Sequence, residues 1–402
     1  MKPLIAVGPA VGSAVGSASG SAANSDDAAA VVTAVRYALA AALTGGPAVL
    51  PTPDAATRAA ANEGEPVEDD IAVLVPTSGS TRSPRLVELP AAALVASAAA
   101  TADVLGGPGQ WLLCLPVARI AGLQVLTRSV LAGTDPVILA SGPFRAPGFV
   151  AAAGELDGER RYVSLVPTQL GRLLADGSAT AALAGFDAVL IGAAATPPEL
   201  LTRARAAGVP VRTTYGLSET AGGCVYDGVA LPGVSVELTD DDRIVVAGPV
   251  IGRRYRNDPV ATASTFVAGR LRTADVGRIT ADGRLEVLGR MDDVIVTGGL
   301  KVHPAEVQSV IARLPGVADV FVAGMPDVEW GTAVTAWVVA APGASTEPLA
   351  IEVLRTVRVE LGAAAVPRDL RWVDAIPALE SGKPDRRRLI AEALTVGDHF
   401  GR

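Results

Sequence analysis

The chain has 402 residues, and because one domain commonly takes about 150 residues, we expect one large and one small domain. Its 34 basic and 42 acidic residues give a net charge of −8, which excludes the positive surface of a protein that binds nucleic acid or anionic lipid. Its two cysteines, Cys114 and Cys224, form no CxxC pair, so we expect a reducing, cytoplasmic setting without disulfides or zinc. No apolar run reaches the roughly 18 residues of a membrane-spanning helix, so no membrane insertion is predicted.

The first part of the chain alternates short apolar runs with helical patterns. Residues 1–7 predict a strand, the Gly-, Ser- and Ala-rich residues 8–24 predict a loop, and residues 26–43 have helical spacing. This alternation predicts an α/β sheet with ligands gathered at the strand ends. The predicted strands are residues 71–75, 111–115, 162–166, 188–191 and 211–214.

After about Leu231, short strands separated by Gly and Asp turns predict a β-rich subdomain, and a compact α+β unit with a helix opened by Pro304 follows Arg290. We therefore predict an α/β protein with a large N-terminal domain of α/β layers, residues 1–289, and a small mobile α+β C-terminal domain, residues 290–402. The predicted elements are strands 243–246, 270–273, 284–288, 317–322 and 333–339, and a helix over 349–361.

A hydroxyl-rich segment, Val-Pro-Thr-Ser-Gly-Ser-Thr-Arg-Ser-Pro-Arg at residues 75–85, directly follows the strand predicted over 71–75. Hydroxyls, backbone amides and a glycine at this density suit a phosphate-binding loop. The spacing GxxxxGK[ST] is absent, so it is not a Walker A loop. Taken alone, the segment is better explained as a polar turn.

Two further segments carry chemistry after short strands. Thr-Tyr-Gly-Leu-Ser-Glu-Thr at residues 214–220 combines an aromatic ring able to stack on a base with a carboxylate, Glu219, able to hold magnesium. Arg-Thr-Ala-Asp-Val-Gly at residues 272–277 offers Asp275, whose carboxylate can accept both hydroxyls of a ribose. A solvated turn explains Asp275 as well when it is taken alone.

The last two segments lie towards the C-terminus. Residues 289–307 begin Gly-Arg-Met-Asp-Asp and include Gly298-Gly299, and residues 381–385 read Ser-Gly-Lys-Pro-Asp. We interpret the first as a swivelling joint and the second as a lysine, Lys383, that the joint carries into a site.

In this order, the segments resemble the adenylate-forming superfamily of acyl-CoA synthetases, luciferases and peptide-synthetase adenylation domains. The resemblance runs from about residue 71 to residue 388. Any one motif can arise by chance, and the ordered set is the specific signal.

The resemblance implies that ATP, Mg²⁺ and coenzyme A bind this chain, and it assigns roles to single residues. Lys383, Glu219 and Arg290 are the implied catalytic residues, Glu219 as the metal ligand and Lys383 beside the α-phosphate during adenylation. Asp292 is the implied hinge. The implied cofactor-binding residues are Thr77, Ser78, Gly79, Ser80, Thr81, Gly192, Ala193, Ala194, Tyr215 on adenine, Gly216, Ser218, Asp275 on the ribose, Arg290, and Gly298, Gly299 and Lys301 facing the thiol.

Four segments, at residues 115–124, 161–170, 191–200 and 222–228, resemble the o-succinylbenzoate–CoA ligases of menaquinone biosynthesis. This implies an ATP-dependent ligase that adenylates o-succinylbenzoate and transfers the acyl group to coenzyme A. Because that acid carries two carboxylates, its pocket needs hydrogen-bond donors and a cation for the second one. The implied substrate-binding residues are Arg119, Ser164, Thr168, Gly222 and Gly223.

The sequence departs from the family pattern at four places, one of which is Ser218, where threonine is commoner. Arg119 stands where a histidine is frequent, Arg82 where glycine is usual, and Arg85 where lysine is usual. His303 is interpreted as structural, and Arg119 is equally well explained as a surface cation. The alternatives left open are a ligase for another aromatic or medium-chain acid, a domain that loads a carrier protein, and a non-catalytic nucleotide-binding relative. A homodimer is also left open.

Overall fold

A computed structural model of the chain describes residues 1–8, 23–62, 64–77, 85–140, 142–377 and 384–397. Within these residues, mixed sheets and twelve helices confirm the predicted α/β class. None of the described helices combines the length and apolar character needed to cross a bilayer. Helices α1 to α12 are Ala23–Leu43, Ala55–Ala61, Ala91–Leu105, Ile120–Ala132, Ala146–Gly154, Pro167–Leu173, Gly177–Ala184, Pro198–Ala206, Pro259–Thr265, Pro304–Ala312, Thr346–Leu361 and Arg386–Gly397.

The first sheet contains the strand that leads into the phosphate-loop segment. In order across the sheet, its strands are β1 (Leu4–Val7), β2 (Ala48–Pro51), β3 (Ile71–Pro76), β4 (Leu86–Pro90) and β14 (Arg254–Tyr255). Strands β1 to β3 are parallel, and β4 runs antiparallel to β3 and to β14. Every residue of β3 is buried, as its continuous apolar sequence predicts for a strand covered on both faces.

The second sheet is the largest and is parallel through its centre. Its strands, in order, are β11 (Val229–Ala230), β10 (Gly222–Tyr226), β9 (Val211–Leu217), β8 (Ala188–Ile191), β7 (Arg161–Leu165), β5 (Gln110–Leu113) and β6 (Val137–Ile138). Because parallel strands end at one edge, the loops after β5, β7, β8 and β9 gather there.

The third sheet is the predicted β-rich section and is antiparallel. Its strands are β12 (Ser235–Leu238), β13 (Arg243–Ala247), β16 (Arg270–Ile279) and β15 (Phe266–Val267), with β17 (Leu285–Arg290) paired to the distal half of β16. In the β16–β17 pair, Asp275 lies opposite Arg290. The sheet therefore brings these two predicted site residues together.

The chain after Arg290 has its own core. A hairpin of β18 (Ile295–Thr297) and β19 (Leu300–Val302) and a sheet of β20 (Val317–Asp327), β21 (Gly331–Ala340) and β22 (Asp369–Trp372) accompany helices α10 and α11. The buried residues of this core begin at Ile295, which agrees with a small α+β domain. Helix α10 begins at Pro304, as predicted. The boundary between residues 289 and 290 stays a prediction.

Several predicted bounds were too narrow. Strand β9 continues through Leu217 and β16 through Ile279, because the antiparallel partners β10 and β17 extend their pairing. Helix α1 begins at Ala23, so the end of the predicted loop over 8–24 is helical. Residues 9–22 of that loop lie outside the described residues.

Candidate active site

A large cleft opens at the carboxyl ends of the parallel strands of the second sheet. Its volume is 3570 Å³, several times the roughly 300–1,000 Å³ of an ordinary small-molecule pocket. The ends of β5, β8 and β9 line it together with parts of β16, α1 and α12. The cleft therefore has room for more than one substrate.

Glu219 lies at the end of β9 in a short 3₁₀ turn, Ser218–Thr220, and lines the cleft. The Tyr255 hydroxyl donates a hydrogen bond of 2.5 Å to Oε1 of Glu219. Ser218 donates from Oγ to the carbonyl oxygen of Pro76, 3.4 Å away, and so ties the turn to the end of β3. Burial raises the pKa of Glu219, and the bond from Tyr255 acts in the opposite direction.

Asp275, Tyr215 and Arg290 form a second group on the cleft wall. The Tyr215 hydroxyl donates to Oδ2 of Asp275 over 2.8 Å, and Nη1 of Arg290 is 3.6 Å from Oδ1. The backbone N–H of Asp275 donates to Thr273 Oγ1 at 3.0 Å, which fixes the main chain beside the carboxylate. Three residues from separate motifs thus meet at one place.

An arginine lies at each described end of the phosphate-loop segment, Thr77 and Arg85. Thr77 lines the cleft, and its carbonyl accepts a 3.3 Å hydrogen bond from Nη1 of Arg119. Arg85, where β4 begins, also lines the cleft and pairs with Asp258 at 3.3 Å. The predicted phosphate ligands at residues 78–81 lie outside the described residues.

Small residues shape the edge where β8 and β9 end. A Cβ atom on Gly192 would lie 2.3 Å from Oγ1 of Thr214, and one on Gly216 would lie 2.1 Å from a carbonyl oxygen of β10. Only glycine fits at either position. Ala193 and Ala194 line the cleft, and Ala193 has a φ of 67°, in the left-handed region that favours glycine.

The predicted coenzyme A residues lie away from this cleft. Gly298, Gly299 and Lys301 are exposed on the β18–β19 hairpin and do not line the cleft. The N–H of Gly298 donates to the carbonyl of Trp330 at 3.3 Å, and a Cβ there would lie 2.6 Å from the indole ring. Trp330 therefore fixes the shape of the glycine turn.

Lys383 lies outside the described residues, but the helix that follows it reaches the cleft. Arg386, the first residue of α12, lines the cleft and pairs with Asp293. The predicted hinge residue Asp292 also lines the cleft, and its Oδ2 is 3.7 Å from Nη2 of Arg290. The joint and the helix after the lysine are therefore in contact.

Two family models match the chain. One describes the AMP-binding enzyme over residues 14–256, and the other describes the AMP-binding enzyme C-terminal domain over residues 306–383. The chain belongs to the AMP-binding enzyme family. Membership confirms the resemblance seen in the motifs, and it implies that this AMP-binding enzyme uses ATP.

Individual relatives of this AMP-binding enzyme include a probable 2-succinylbenzoate–CoA ligase of Mycobacterium tuberculosis, 44% identical over 345 residues that cover 85% of this chain and 89% of the relative. A solved structure of o-succinylbenzoate CoA synthetase from Bacillus subtilis, in complex with its acyl-adenylate intermediate, has a TM-score of 0.68 and 28% identity, covering 81% of this chain and 72% of that chain. An amide bond synthetase from Marinactinospora thermotolerans has a TM-score of 0.73 and 28% identity, covering 82% and 70%.

The predicted acid-binding residues of this AMP-binding enzyme do not all lie on the cleft wall. Arg119 directly precedes α4, is exposed, and lines the cleft. Ser164 is buried in β7 and Thr168 is exposed on α6. Neither these two nor Gly222 and Gly223 line the cleft. The structure thus brings one of the five to the cleft wall.

A buried cation that no sequence motif indicated lies behind β10. Arg128 on α4 is 8% exposed, stacks 4.8 Å from the centre of the Trp111 ring, and donates to Thr101 Oγ1 at 3.2 Å and Tyr226 Oη at 3.4 Å. It has no carboxylate partner among the described residues. Burial lowers the pKa of Arg128. Its only signal in the sequence was an arginine within the apolar run of α4.

Backbone and one aromatic ring are packed between this cation and the cleft. Gly216 lines the cleft, and its strand partner is Gly223. A Cβ on Gly223 would lie 2.7 Å from the Tyr226 ring, whose hydroxyl contacts Arg128. Four buried polar atoms around this path lack a hydrogen-bond partner among the described residues: Ser97 Oγ, Gln124 Oε1, Arg128 Nε and Ser129 Oγ.

Proposed function

We propose that this AMP-binding enzyme is an AMP-forming acid–CoA ligase that activates o-succinylbenzoate in menaquinone biosynthesis. The observation that carries the proposal is the 44% identity to a probable 2-succinylbenzoate–CoA ligase across 85% of this chain and 89% of the relative. The cleft supports it, because Glu219, Asp275 and Arg290 meet there beside the end of the phosphate-loop segment.

The reaction of such an enzyme has two steps, and the first of them consumes ATP. A carboxylate is a poor electrophile, so its oxygen first attacks the α-phosphorus of ATP, forming the acyl-adenylate while the bond to pyrophosphate breaks. The thiolate of coenzyme A then attacks the acyl carbon, and AMP leaves with the electron pair of the broken C–O bond. Holding both reactants in one cleft removes most of the entropic barrier to each step.

Separate residues bind the nucleotide, stabilise the developing charge and allow the domain rotation. Tyr215 stacks on adenine, Asp275 accepts from the ribose hydroxyls with Arg290 beside it, and the segment from Thr77 to Thr81 binds the phosphates. Lys383 offsets the charge that builds on the reacting oxygens during adenylation. After pyrophosphate leaves, rotation at Asp292 removes the lysine and presents the Gly298–Lys301 hairpin to the thiol.

The residues present fit a magnesium ion held with ATP. Mg²⁺ is commonly bound by one or two carboxylates together with substrate phosphates, and Glu219 supplies one carboxylate on the cleft wall. Mg²⁺ would screen the phosphate charges while the acid attacks. Among the described residues there is no cluster of three or more metal-binding side chains, which agrees with a metal that arrives with the nucleotide.

The second carboxylate of o-succinylbenzoate needs a cation, and two arginines compete for it. Arg119 lies on the cleft wall but is exposed, where water screens its charge. Arg128 is buried without a described carboxylate partner, and Gly223 and Tyr226 lie between it and the cleft residue Gly216. Because a buried cation interacts far more strongly with an anion, Arg128 is the better partner.

The test measures AMP and acyl-CoA formed from ATP, Mg²⁺ and coenzyme A with o-succinylbenzoate, beside benzoate, phenylbutyrate and octanoate. Preference for o-succinylbenzoate is the expected result. Turnover of another acid in its place would keep the mechanism and reassign the pathway. Binding of ATP without AMP release from any acid would favour the non-catalytic relative. A cytoplasmic location and a homodimer stay predictions.

A further inference from the structure

We infer that Tyr255 is a positioning residue for the metal-binding carboxylate: its hydroxyl holds Oε1 of Glu219 and so orients the carboxylate that would bind the magnesium ion accompanying ATP. The inference rests on the proposed function, in which Glu219 binds that ion. The motifs assign no role to Tyr255, because it lies in the short strand β14, far along the chain from residues 214–220.

The contact is short and shielded from water. Tyr255 is 6% exposed and Glu219 is 9% exposed, and the hydroxyl lies 2.5 Å from Oε1. Hydrogen bonds to an ionised acceptor are shorter and about twice as strong as neutral ones. This side-chain hydrogen bond goes to Oε1 of the Glu219 carboxylate, and both residues line the cleft. The Glu219 carboxylate is therefore fixed by a buried side chain where it lines the cleft.

The same short segment also holds the backbone of the metal-binding residue. The N–H of Gly252 donates to the carbonyl oxygen of Glu219 at 2.7 Å. Residues 252–255 thus contact both the main chain and the side chain of Glu219. Two contacts from one segment restrict rotation of the side chain more than either would alone.

That segment is itself anchored to the first sheet. Strand β14 pairs with β4, where Glu88 is fully buried. On either side of Tyr255, Arg254 Nε lies 2.8 Å and Arg256 Nη1 lies 3.2 Å from the carboxylate of Glu88. A buried carboxylate held by two arginines fixes the strand, because moving it would leave a charge unpaired in the interior.

The ring of Tyr255 is also held in place. Phe266 meets it edge-on with ring centres 5.3 Å apart, and the guanidinium of Arg85 lies 5.6 Å from the ring centre. Arg85 ends the phosphate-loop segment, so one tyrosine contacts both the metal-binding carboxylate and the loop that faces the phosphates. This arrangement favours a role in setting their relative position.

The experiment measures ATP binding by isothermal titration calorimetry, with Mg²⁺ and with EDTA in its place, and uses no acid substrate. Tyr255→Phe removes only the hydroxyl. We expect it to weaken Mg²⁺·ATP binding by roughly tenfold, the effect of losing one hydrogen bond to a charged group, while metal-free ATP binding changes less than about twofold. In a separate assay that supplies o-succinylbenzoate, the Mg²⁺ concentration needed for half-maximal pyrophosphate release should rise in parallel.

Tyr162→Phe is the matched control. Tyr162 is also buried and its hydroxyl donates to the carbonyls of Leu105 and Gly107, at 3.0 and 3.1 Å, away from the cleft wall. It should leave both ATP affinities unchanged. In a Glu219→Gln background, Tyr255→Phe should cause no further loss, because its effect acts through that carboxylate.

The outcomes separate the two hypotheses. Equal weakening of ATP binding with and without Mg²⁺, or an undiminished effect in the Glu219→Gln background, would overturn the role of Tyr255 alone. A wild-type protein that binds ATP equally well with and without Mg²⁺ would overturn the metal role of Glu219 and this inference with it. Failure to turn over o-succinylbenzoate bears on the acid specificity and not on Tyr255.

Discussion

Replacing Arg128 with methionine tests which cation recognises the second carboxylate of the acid. Methionine keeps much of the volume and removes the charge. If Arg128 pairs with that carboxylate, the lost charge-assisted interaction amounts to about 1.5–3 kcal/mol, or roughly 10- to 150-fold in kcat/KM at about 1.4 kcal/mol per tenfold. A monocarboxylic acid such as phenylbutyrate has no second anion and should lose less than about threefold.

The structure indicates that this variant folds. Arg128 has no described carboxylate partner that its loss would leave unpaired, and Thr101 Oγ1 and Tyr226 Oη remain 3.0 Å apart and can bond to each other. Replacing a buried charge with an apolar side chain of similar size is often neutral or stabilising. We therefore expect the Tm to move by less than about 4 °C.

Arg119→Ala is the comparison variant. Because Arg119 is exposed, its loss should raise the KM for a dicarboxylic aromatic acid more than for a monocarboxylic one, but by less than about fivefold. The assay is steady-state AMP release with both acids for both variants. Equal losses of kcat/KM for the two acids in Arg128→Met would refute the reasoning. A larger loss selective for the dicarboxylic acid in Arg119→Ala would assign recognition of the second carboxylate to Arg119.

Three further predictions concern the lysine, the contact between domains and the cleft edge. Lys383→Ala should depress pyrophosphate release far more than conversion of a supplied acyl-adenylate to thioester, and equal loss in both would remove its assigned role. Glu306→Gln breaks the 2.7 Å pair that joins α10 to Arg278 on β16 and should change the ratio of the two half-reaction rates by about twofold to fivefold, whereas Glu286→Gln, which removes the other partner of Arg278, should not. Gly216→Ala should lower the Tm by several degrees, measured by thermal melting, because its Cβ would lie 2.1 Å from a facing carbonyl oxygen.

The sequence was sufficient for the fold class and the order of the motifs. Apolar runs such as residues 71–75 are buried strands, and Pro304 opens a helix, because both signals depend on local backbone preferences and burial. The meeting of Asp275 with Tyr215 also follows from the motif order once the family is recognised.

The remaining site features depend on contacts between distant parts of the chain. The bond between Tyr255 and Glu219 and the burial of Arg128 result from packing that no local pattern encodes. For the same reason, Ser164 and Thr168 carried plausible hydroxyls but lie outside the cleft wall. Side-chain direction depends on the strand or helix face, which the motif spacing did not specify.

The close approach of Gly216 to β10 has a consequence for how acid selectivity can change. Where main chain abuts main chain at this distance, no side chain can be introduced to reshape the wall. Variation must come from the layer behind it, where Ser97 and Gln124 flank the Cβ position of Gly222. Libraries aimed at new acids should therefore diversify α3 and α4 and leave the glycines untouched.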